Sequence, residues 1–367
     1  MEQINIPKQN YKVLVRCFTY NQSKYIEDAL NGFAMQQTDF PFVCLVMDDC
    51  STDGEQEVIK AWMERECDMV KAEYIDIELS NVIIVPHKSN TSCAFAFYFL
   101  KQNLYGSGKK KMNMIYPWRD CCEYEALCEG DDYWIVPDKL EKQVKLLDAN
   151  PAISFCHTGF DCLINNYNIM QSGDNIVAQN LKIQESGENL LEAILDGTRY
   201  RIQTVTAMIR ISRLREANIL LSSVKGIFLM GDTQLWLSLL SLGTVGFIPK
   251  KTSVYRKNNG SACRQNDLKK RLRFDLSCAE MYVTMANLFS LSDELKCKLQ
   301  KQYQKKLNVY FCFDKEYKPF VKIVFCSMKD KLQYYVLKSW PIRYLFKMIY
   351  KRHYIQLVKK NDGVSLS

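Results

Sequence analysis

Two pairs of adjacent carboxylates are the residues of this sequence best suited to hold a positively charged ligand. Asp48-Asp49 and Asp131-Asp132 each follow a short apolar run. Two such pairs at one edge of a sheet would repel each other in an empty site, so together they favour a cation or a hydrogen-bond donor as their partner. An ordinary polar loop explains either pair alone, but it explains the combination less well.

The elements that must position these pairs alternate between short apolar runs and helical patterns. Strands are predicted for residues 12–18, 42–47 and 82–85, with apolar residues at helical spacing between the first two strands and after the second. This βαβαβ order predicts a doubly wound, mostly parallel sheet flanked by helices. Ligands bind such sheets at the carboxyl ends of the strands, so both acidic pairs should open on that edge.

The chain beyond the second acidic pair continues the α/β pattern to about residue 265. Asp138 and Glu141 predict a capping box for the helix that follows them. A helix is predicted to begin near Asp232, and from Leu268 onward helical periodicity dominates. We therefore expect an α/β domain over residues 1–265 and a helical region over residues 266–367. Further strands are predicted for residues 126–128, 153–157, 203–210 and 246–255.

The composition indicates an ordinary globular protein. The 367 residues are 47% hydrophobic and 25% charged, which excludes disorder, collagen and a disulfide miniprotein. The longest mostly apolar stretch, residues 92–100, is too short to span a bilayer. The start of the chain lacks the apolar core of a secretory signal, and the fifteen cysteines include no CxxC pair. These features favour buried free thiols in a reducing, cytoplasmic compartment.

The net charge of +8 belongs to the C-terminal part of the chain. From Lys296 onward there are 17 Lys and Arg residues against 4 Asp and Glu, whereas the residues before it hold 32 against 37. The same C-terminal stretch contains 14 of the 44 aromatic residues. Basic residues interleaved with aromatic ones suit an anionic membrane surface. RNA contact and a helical subdomain with a solvated basic face are the alternatives.

Four motifs, occurring in the expected order, resemble the family 2 glycosyltransferases of GT-A fold. The resemblance covers about residues 10–260, and the segment C-E-G-D-D-Y-W-x-x-P-x-K-L-x-x-Q is especially similar to a bacterial branch associated with surface polysaccharides. The resemblance implies a GT-A type, Rossmann-like sheet and transfer of a sugar from a nucleotide donor. The motifs are Thr19-Tyr20-Asn21, M-D-D-C-S-T-D-G at residues 47–54, E-G-D-D-Y-W at residues 129–134, and Gly231-Asp232.

The resemblance implies that the first two motifs hold the nucleotide. Thr19, Tyr20 and Asn21 would form the loop against it, with Tyr20 packing near the base. Asp49 would accept the imide N–H of uracil, a donor that cytosine lacks, and this favours a UDP-sugar. The alternative for Asp49 is a loop residue that caps the next helix, a role that Asp53 fits better.

The resemblance also implies a metal ligand and a catalytic base. Asp132 would bind Mn²⁺ or Mg²⁺ directly, and Asp131 would contact the ribose or a metal-bound water. The cation would stabilise the charge that develops on the leaving diphosphate. Asp232 aligns with the base that takes the proton of the acceptor hydroxyl in an inverting displacement. The alternatives are a solvated turn for the acidic pair and a helix N-cap for Asp232.

Two further segments resemble the family less closely. The basic sequence Y-G-S-G-K-K-K at residues 105–111 makes Lys109 a candidate for the diphosphate, although a stretch at 93–104 departs from the family pattern and disturbs the register. In the loop at 254–260, Arg256 is a second diphosphate candidate. Asn258 or Asn259 stands there where relatives commonly have His, which argues against a third metal ligand.

These implications describe an inverting, metal-dependent glycosyltransferase of surface polysaccharide synthesis, peripheral to the cytoplasmic membrane, with a glycan or lipid-linked acceptor. A non-catalytic nucleotide-sugar or glycan-binding subunit of the same fold is the alternative. A nucleotidyltransferase is disfavoured because no Gly-rich loop follows the first strand. No nucleic-acid partner is expected. The motifs do not specify the donor sugar, the acceptor or the linkage.

Overall fold

The chain divides into two compact units. The first contains the residues up to Leu220 and the stretch Leu235–Asn258, and the second contains Leu221–Gln234 and the residues from Asn259 onward. The transition at Asn258 lies a few residues before the boundary predicted near residue 265, and the sequence did not indicate that Leu221–Gln234 belongs with the C-terminal part. The computed structural model describes residues 10–105, 108–164, 168–196, 199–224, 228–258, 267–314, 316–319, 321–322, 324, 328–336, 342 and 344–351.

One mixed sheet forms the first unit. Its strands lie in the order β3-β4-β5-β2-β1-β6-β10-β8-β11-β7, with β9 paired to β8. The pairs β5-β2, β2-β1, β1-β6 and β8-β11 are parallel, and the other pairs are antiparallel. The strands are β1 (Val13–Thr19), β2 (Phe42–Asp48), β3 (Glu73–Ile77), β4 (Ser80–Pro86), β5 (Cys93–Leu100), β6 (Tyr124–Leu127), β7 (Tyr133–Trp134), β8 (Ile153–Ile164), β9 (Ile169–Gln171), β10 (Met208–Arg210) and β11 (Thr244–Lys257).

Helices cover both faces of this sheet. Alternate residues of β1 enter different cores, because successive side chains of a strand point to opposite faces: Val13 and Val15 pack in one core and Leu14 in the other. Strands buried on both faces read as continuous apolar runs, which is why β1 and β2 could be predicted. The helices are α1 (Ile26–Ala34), α2 (Glu55–Glu66), α3 (Gly108–Asp120), α4 (Lys139–Ala149), α5 (Asp174–Ser186), α6 (Leu190–Leu195), α7 (Ile211–Ser222) and α8 (Asp232–Ser241).

The second unit is helical. It contains α9 (Leu268–Leu288), α10 (Asp293–Phe311) and α11 (Met328–Val336), and residues 344–351 are also helical. Asp267 caps α9 by accepting a hydrogen bond of 2.7 Å from the backbone N–H of Lys270. No helix among these described residues, or among those of the first unit, is long and apolar enough to cross a membrane.

The predicted α/β sheet with flanking helices is confirmed, and four details differ. The strand predicted at 82–85 is β4, which runs antiparallel to β5. The parallel neighbour of β2 is instead β5, inside the stretch at 93–104 that departs from the family pattern. The predicted capping box is wrong: the Asp138 side chain makes no cap hydrogen bond and pairs with Lys142 and Lys250. Of the strand predicted at 203–210, only Met208–Arg210 forms.

Candidate active site

Three loops meet at the carboxyl edge of the parallel strands β2, β1 and β6. The backbone N–H of Asp49 donates to Thr19 O at 3.0 Å, and the N–H of Gly130 donates to Phe18 O at 3.0 Å. The loop after β1 therefore lies between the loop of Asp49 and the loop of Asp131-Asp132. The edge where the two acidic pairs were expected is thus a single surface of the first unit.

Gly130 shows how tightly the β6 loop lies against the β1 loop. A Cβ atom at this position would come within 2.3 Å of Thr19 Oγ1 and 2.6 Å of Gln22 Oε1. Any larger residue would therefore force the two loops apart. The glycine of the E-G-D-D motif is needed for this close approach.

A buried glutamate that the sequence analysis missed ties the β1 loop to the β2 loop. Glu55 accepts hydrogen bonds from the hydroxyl of Thr19, from the N–H of Gln22 at 2.8 Å and from the hydroxyl of Ser51 at 2.8 Å. It is fully buried, and burial raises the pKa of its carboxyl despite these donors. The hydroxyl proton of Thr19 is therefore used within the protein, while its oxygen can still accept a hydrogen bond.

The other two residues of the first motif form the outer part of this loop. Asn21 has a left-handed backbone conformation, with φ of 53°, and its side-chain oxygen accepts from the N–H of Thr52 at 2.8 Å. Tyr20 is 45% exposed, so its ring is available to a planar ligand. Asp53, the predicted capping residue, accepts from the N–H of Glu55 at 3.2 Å.

Asp49 is buried and both of its carboxylate oxygens have donors. Oδ1 accepts from the N–H of Leu104 at 2.7 Å, and Oδ2 accepts from Lys111 Nζ at 2.5 Å. Each oxygen has a second lone pair, so an additional donor can still be accepted. Lys109 is the lysine predicted from the basic segment, and its side chain lies outside the described residues. Lys111, a lysine of the same segment whose side chain is described, reaches the nucleotide motif.

Asp131 and Asp132 are two carboxylates held side by side at the start of β7. Asp132 is 4% exposed, and its Oδ1 accepts from the backbone N–H of Arg256 at 2.7 Å. Asp131 Oδ2 accepts from the amide of Asn258 at 2.8 Å. Asn258 is thus a hydrogen-bond donor to the acidic pair.

The electrostatics of this pair fit a divalent cation. Burial raises the pKa of both carboxyls, and the charge of Asp131 raises that of Asp132 further. A bound cation would remove this penalty, and paired carboxylate oxygens are the donors that Mg²⁺ and Mn²⁺ prefer. No group of three or more Cys, His, Asp or Glu side chains suited to a metal occurs within the described part of the chain. Two carboxylates therefore fit an ion whose other ligands are phosphates and water.

Arg256 braces the acidic loop. Its guanidinium donates to Asp131 O at 2.8 Å and to the Asp28 carboxylate, and it lies 4.4 Å from the centroid of the Tyr133 ring. The side chain is only 6% exposed. These contacts use N–H groups of the guanidinium. A diphosphate in contact with Arg256, as predicted, would therefore share these donors with Asp131 and Asp28.

Asp232 belongs to the second unit, whereas the other candidate residues lie in the first. It is the first residue of α8 and accepts from the N–H of Thr233 at 2.7 Å. Burial raises the pKa of its carboxyl, and Tyr282 of α9 lies close enough to feel its charge. A carboxylate of raised pKa suits proton abstraction from a hydroxyl. The loop before it is fixed to α9 by a hydrogen bond of 2.9 Å from Leu229 N to Ser277 Oγ.

One family model matches part of the chain. Residues 17–91 match the model of Glycosyl transferase family 2. The matched segment includes the loops after β1 and β2, with Thr19, Tyr20, Asn21 and Asp49. The acidic pair Asp131-Asp132 and Asp232 lie beyond it.

The curated relatives are mycobacterial proteins. A protein of Mycobacterium tuberculosis described as uncharacterized is 34% identical over 138 residues, which are 38% of this chain and 32% of that protein. A Mycobacterium bovis protein matches equally. The matched region thus spans about a third of the length of the relatives.

Several solved structures are similar in fold. Staphylococcus aureus TarS 1–349 in complex with UDP-GlcNAc is 16% identical, covers 88% of this chain and 78% of its own, and has a TM-score of 0.47. The mannosyltransferase PcManGT from Pyrobaculum calidifontis, in complex with GDP-Man and Mn²⁺, is 13% identical, covers 96% of this chain and 88% of its own, and has a TM-score of 0.44. At these values the similarity carries no functional conclusion.

Proposed function

We propose that this chain is a glycosyltransferase that uses a nucleotide-sugar donor and a divalent cation, because residues 17–91 match the model of Glycosyl transferase family 2. The observation that carries the proposal is the pair Asp131-Asp132, of which Asp132 is buried, held at the same sheet edge as the loops of Tyr20 and Asp49. A nucleoside diphosphate needs a surface for its base and a counter-charge for its phosphates, and this edge offers both.

The base of the nucleotide is proposed to lie against Tyr20, with Asp49 as its hydrogen-bond acceptor. Asp49 is fixed in place by Lys111 and by the N–H of Leu104, so its orientation is set before the ligand arrives. An acceptor at this position favours uracil, whose imide N–H is a donor, over cytosine. The proposed donor is therefore a UDP-sugar.

The acidic pair is proposed to hold Mn²⁺ or Mg²⁺, with Asp132 as the direct ligand and Asp131 toward the ribose or a metal-bound water. The ion, when bound, supplies positive charge to the leaving diphosphate. The protein contributes the orientation of the carboxylates: Arg256 N–H fixes Asp132 Oδ1, and Asn258 fixes Asp131 Oδ2. Exclusion of water from these buried oxygens strengthens their interaction with a cation.

Asp232 is the proposed general base of an inverting displacement. Its carboxylate would take the proton of the acceptor hydroxyl as that oxygen attacks the anomeric carbon. Its raised pKa makes the carboxylate a stronger proton acceptor than an exposed aspartate. The proposed acceptor is a glycan or a lipid-linked glycan in surface polysaccharide synthesis, as the resemblance to that bacterial branch implies.

The helical residues near the C-terminus are the proposed contact with an anionic membrane surface at the cytoplasmic face. Large apolar side chains are exposed there beside lysines: Leu345 is 58% exposed and Ile349 54%, and Lys351 is exposed as well. Exposed apolar groups enter the headgroup region while neighbouring lysines attract anionic lipids. Such a contact would bring the chain to the membrane that holds a lipid-linked acceptor.

A donor screen tests the proposed activity. The purified protein is incubated with a panel of UDP- and GDP-sugars and candidate acceptors, with Mn²⁺ or Mg²⁺, and release of the nucleoside diphosphate is measured. We expect release from at least one UDP-sugar, its loss in excess EDTA, and a drop of about 100-fold or more in Asp132→Asn. Asp293→Asn, an exposed residue at the start of α10, is the matched control and should leave the rate unchanged.

Two outcomes would contradict the proposal in different ways. Full activity in EDTA or in Asp132→Asn would remove the metal role. Nucleotide binding without release across the whole panel would favour the non-catalytic binding subunit.

A further inference from the structure

A cavity of about 330 Å³ lies in the first unit, on the sheet face covered by α3. Its walls are mostly apolar and include Met112, Leu127 and Leu214, with Tyr116 and Asn218 also among its lining residues. All of its lining residues belong to the first unit. An apolar pocket with a few polar groups is the usual form of a small-molecule site.

Buried charges in the cavity wall are unusual for the face of a sheet. Arg16 of β1, Glu125 of β6 and Arg119 of α3 all line it, and Glu125 and Arg119 are 1% and 4% exposed. Glu125 accepts from Arg16 Nε at 2.9 Å, from Arg119 Nη2 at 2.9 Å and from Arg119 Nε. Both carboxylate oxygens are thus occupied by the two guanidinium groups.

The positive charge of this group exceeds its negative charge. Two arginines share one glutamate, and the nearest additional carboxylate is Glu129, 4.0 Å from Arg16 Nη1. Glu129 is not a lining residue. The cavity wall itself therefore carries a surplus of one positive charge.

Arg119 has an unused donor. Its Nη1 is buried and has no hydrogen-bond acceptor among the described residues. A buried guanidinium N–H without an acceptor is costly, and such groups in native proteins usually have a ligand, a water or a functional reason. The guanidinium of Arg119 lies 5.8 Å from the centroid of the Tyr116 ring and donates to Glu125. These two contacts fix its position.

We propose that this cavity binds a small organic anion, with its carboxylate or phosphate group on Arg119 and its apolar body against Met112, Leu127 and Leu214. Arg119 lines the cavity and supplies positive charge at its wall. The apolar wall supplies the rest of the affinity by excluding water. None of the lining residues belongs to the loops of Tyr20, Asp49 and Asp131-Asp132, and the ligand needs no metal.

The position of the cavity links this ligand to the proposed active site. Its wall includes Arg16 of β1, the strand that ends at Thr19, and Glu125 of β6, the strand whose following loop carries the acidic pair. Arg16 Nη1 also lies 4.0 Å from the carboxylate of Glu129, the residue before Gly130.

Calorimetric titration of the full chain with four probes tests the site directly. Hexanoate and hexyl phosphate combine an anionic group with an apolar body, hexanol has the body alone, and inorganic phosphate has the charge alone. We expect at least one of the two anionic amphiphiles to bind with one-to-one stoichiometry. Its affinity should exceed those of hexanol and phosphate by about tenfold or more. The stronger of the two identifies the ligand as a carboxylate or a phosphate.

Two variants assign the binding to this cavity. Arg119→Met should reduce the affinity for the anionic probes to that for hexanol. Asn218→Trp, at an exposed position of the lining, should fill the mouth and weaken binding by about tenfold without disturbing the core. Glu216→Trp, on the exposed surface of the same helix, is the matched control and should bind as the wild type does.

Three results would overturn the proposal. If hexanol or phosphate bound as tightly as the anionic amphiphiles, the site would not recognise the anionic group and the apolar body together. Unchanged binding in both Arg119→Met and Asn218→Trp would place the ligand elsewhere. No binding of either anionic probe at millimolar concentration would exclude the site.

Discussion

At the scale of single residues, the side chains nearest the proposed chemistry are held by partners distant in sequence. Lys111 pairs with Asp49 across 62 positions, and Glu55 binds Thr19 across 36. The motif residues themselves could be predicted because their types and order are local properties. Their partners could not, because the fold brings them together and no spacing in the sequence marks them.

Lys139 is a second residue whose environment only the fold explains. It is fully buried behind the acidic loop, 4.4 Å from the centroid of the Trp134 ring, and donates to Gln143 Oε1 at 2.6 Å. Burial lowers the pKa of its ammonium from 10.5 to about 8. The folded protein therefore releases this proton before the unfolded chain does.

The lowered pKa predicts a dependence of stability on pH. Between about pH 8 and about pH 10.5 the unfolded chain keeps the proton that the folded protein has lost, so this group makes the free energy of unfolding rise with pH, by up to about 3 kcal/mol. Lys139→Met removes that contribution. Urea unfolding of the wild type and of Lys139→Met across this pH range measures the effect, with Lys145→Met, at an exposed position, as the control. A difference in free energy of unfolding between wild type and Lys139→Met that stays constant with pH would contradict the lowered pKa of Lys139.

At the scale of elements, the predicted strands are accurate where both faces are buried. The apolar runs of β1 and β2 end within a residue or so of their predicted bounds. β5 was missed although it is equally apolar, because the resemblance made its stretch look like a departure from the family pattern. The antiparallel β3-β4-β5 arrangement depends on pairing between strands, which a single run of residues does not encode.

The contact between the β1 and β6 loops yields a prediction about Gly130. Gly130→Ala places a methyl group within 2.3 Å of Thr19 Oγ1, so the acidic loop must move away from the β1 loop. We expect loss of unfolding free energy of about 1–3 kcal/mol together with a weaker Mn²⁺-dependent affinity for UDP. Urea unfolding and calorimetric UDP titration measure the two effects. Wild-type values for both would show that the loops are not in close contact.

At the scale of the whole molecule, the charge is divided between two parts of different character. The basic, aromatic residues are at the C-terminal end, whereas the part before Lys296 is mildly acidic. In this end α10, α11 and residues 344–351 are helical, whereas the described residues 316–319 form no helix. Its composition suits a membrane, an RNA or solvent, so the membrane contact of its exposed face is a proposal.

Vesicle flotation tests the proposed membrane contact. The wild type should float with vesicles that contain anionic lipid and less so as salt is raised, because screening weakens the attraction of the lysines. The double variant Leu345→Glu/Ile349→Glu should lose most of this binding. Val70→Glu, which replaces an apolar side chain that is 96% exposed in the first unit, is the control and should retain it. Equal flotation of the double variant and the wild type would contradict the proposal.

The proposed transfer of a sugar by base catalysis at Asp232 predicts that Asp232→Asn separates binding from turnover. Using the UDP-sugar and acceptor found in the donor screen, UDP affinity and transfer rate are measured for the wild type and the variant. Loss of the base should reduce kcat by about 100-fold or more while the affinity for UDP stays within about twofold. A variant that transfers sugar at the wild-type rate would contradict the role of Asp232 as the base.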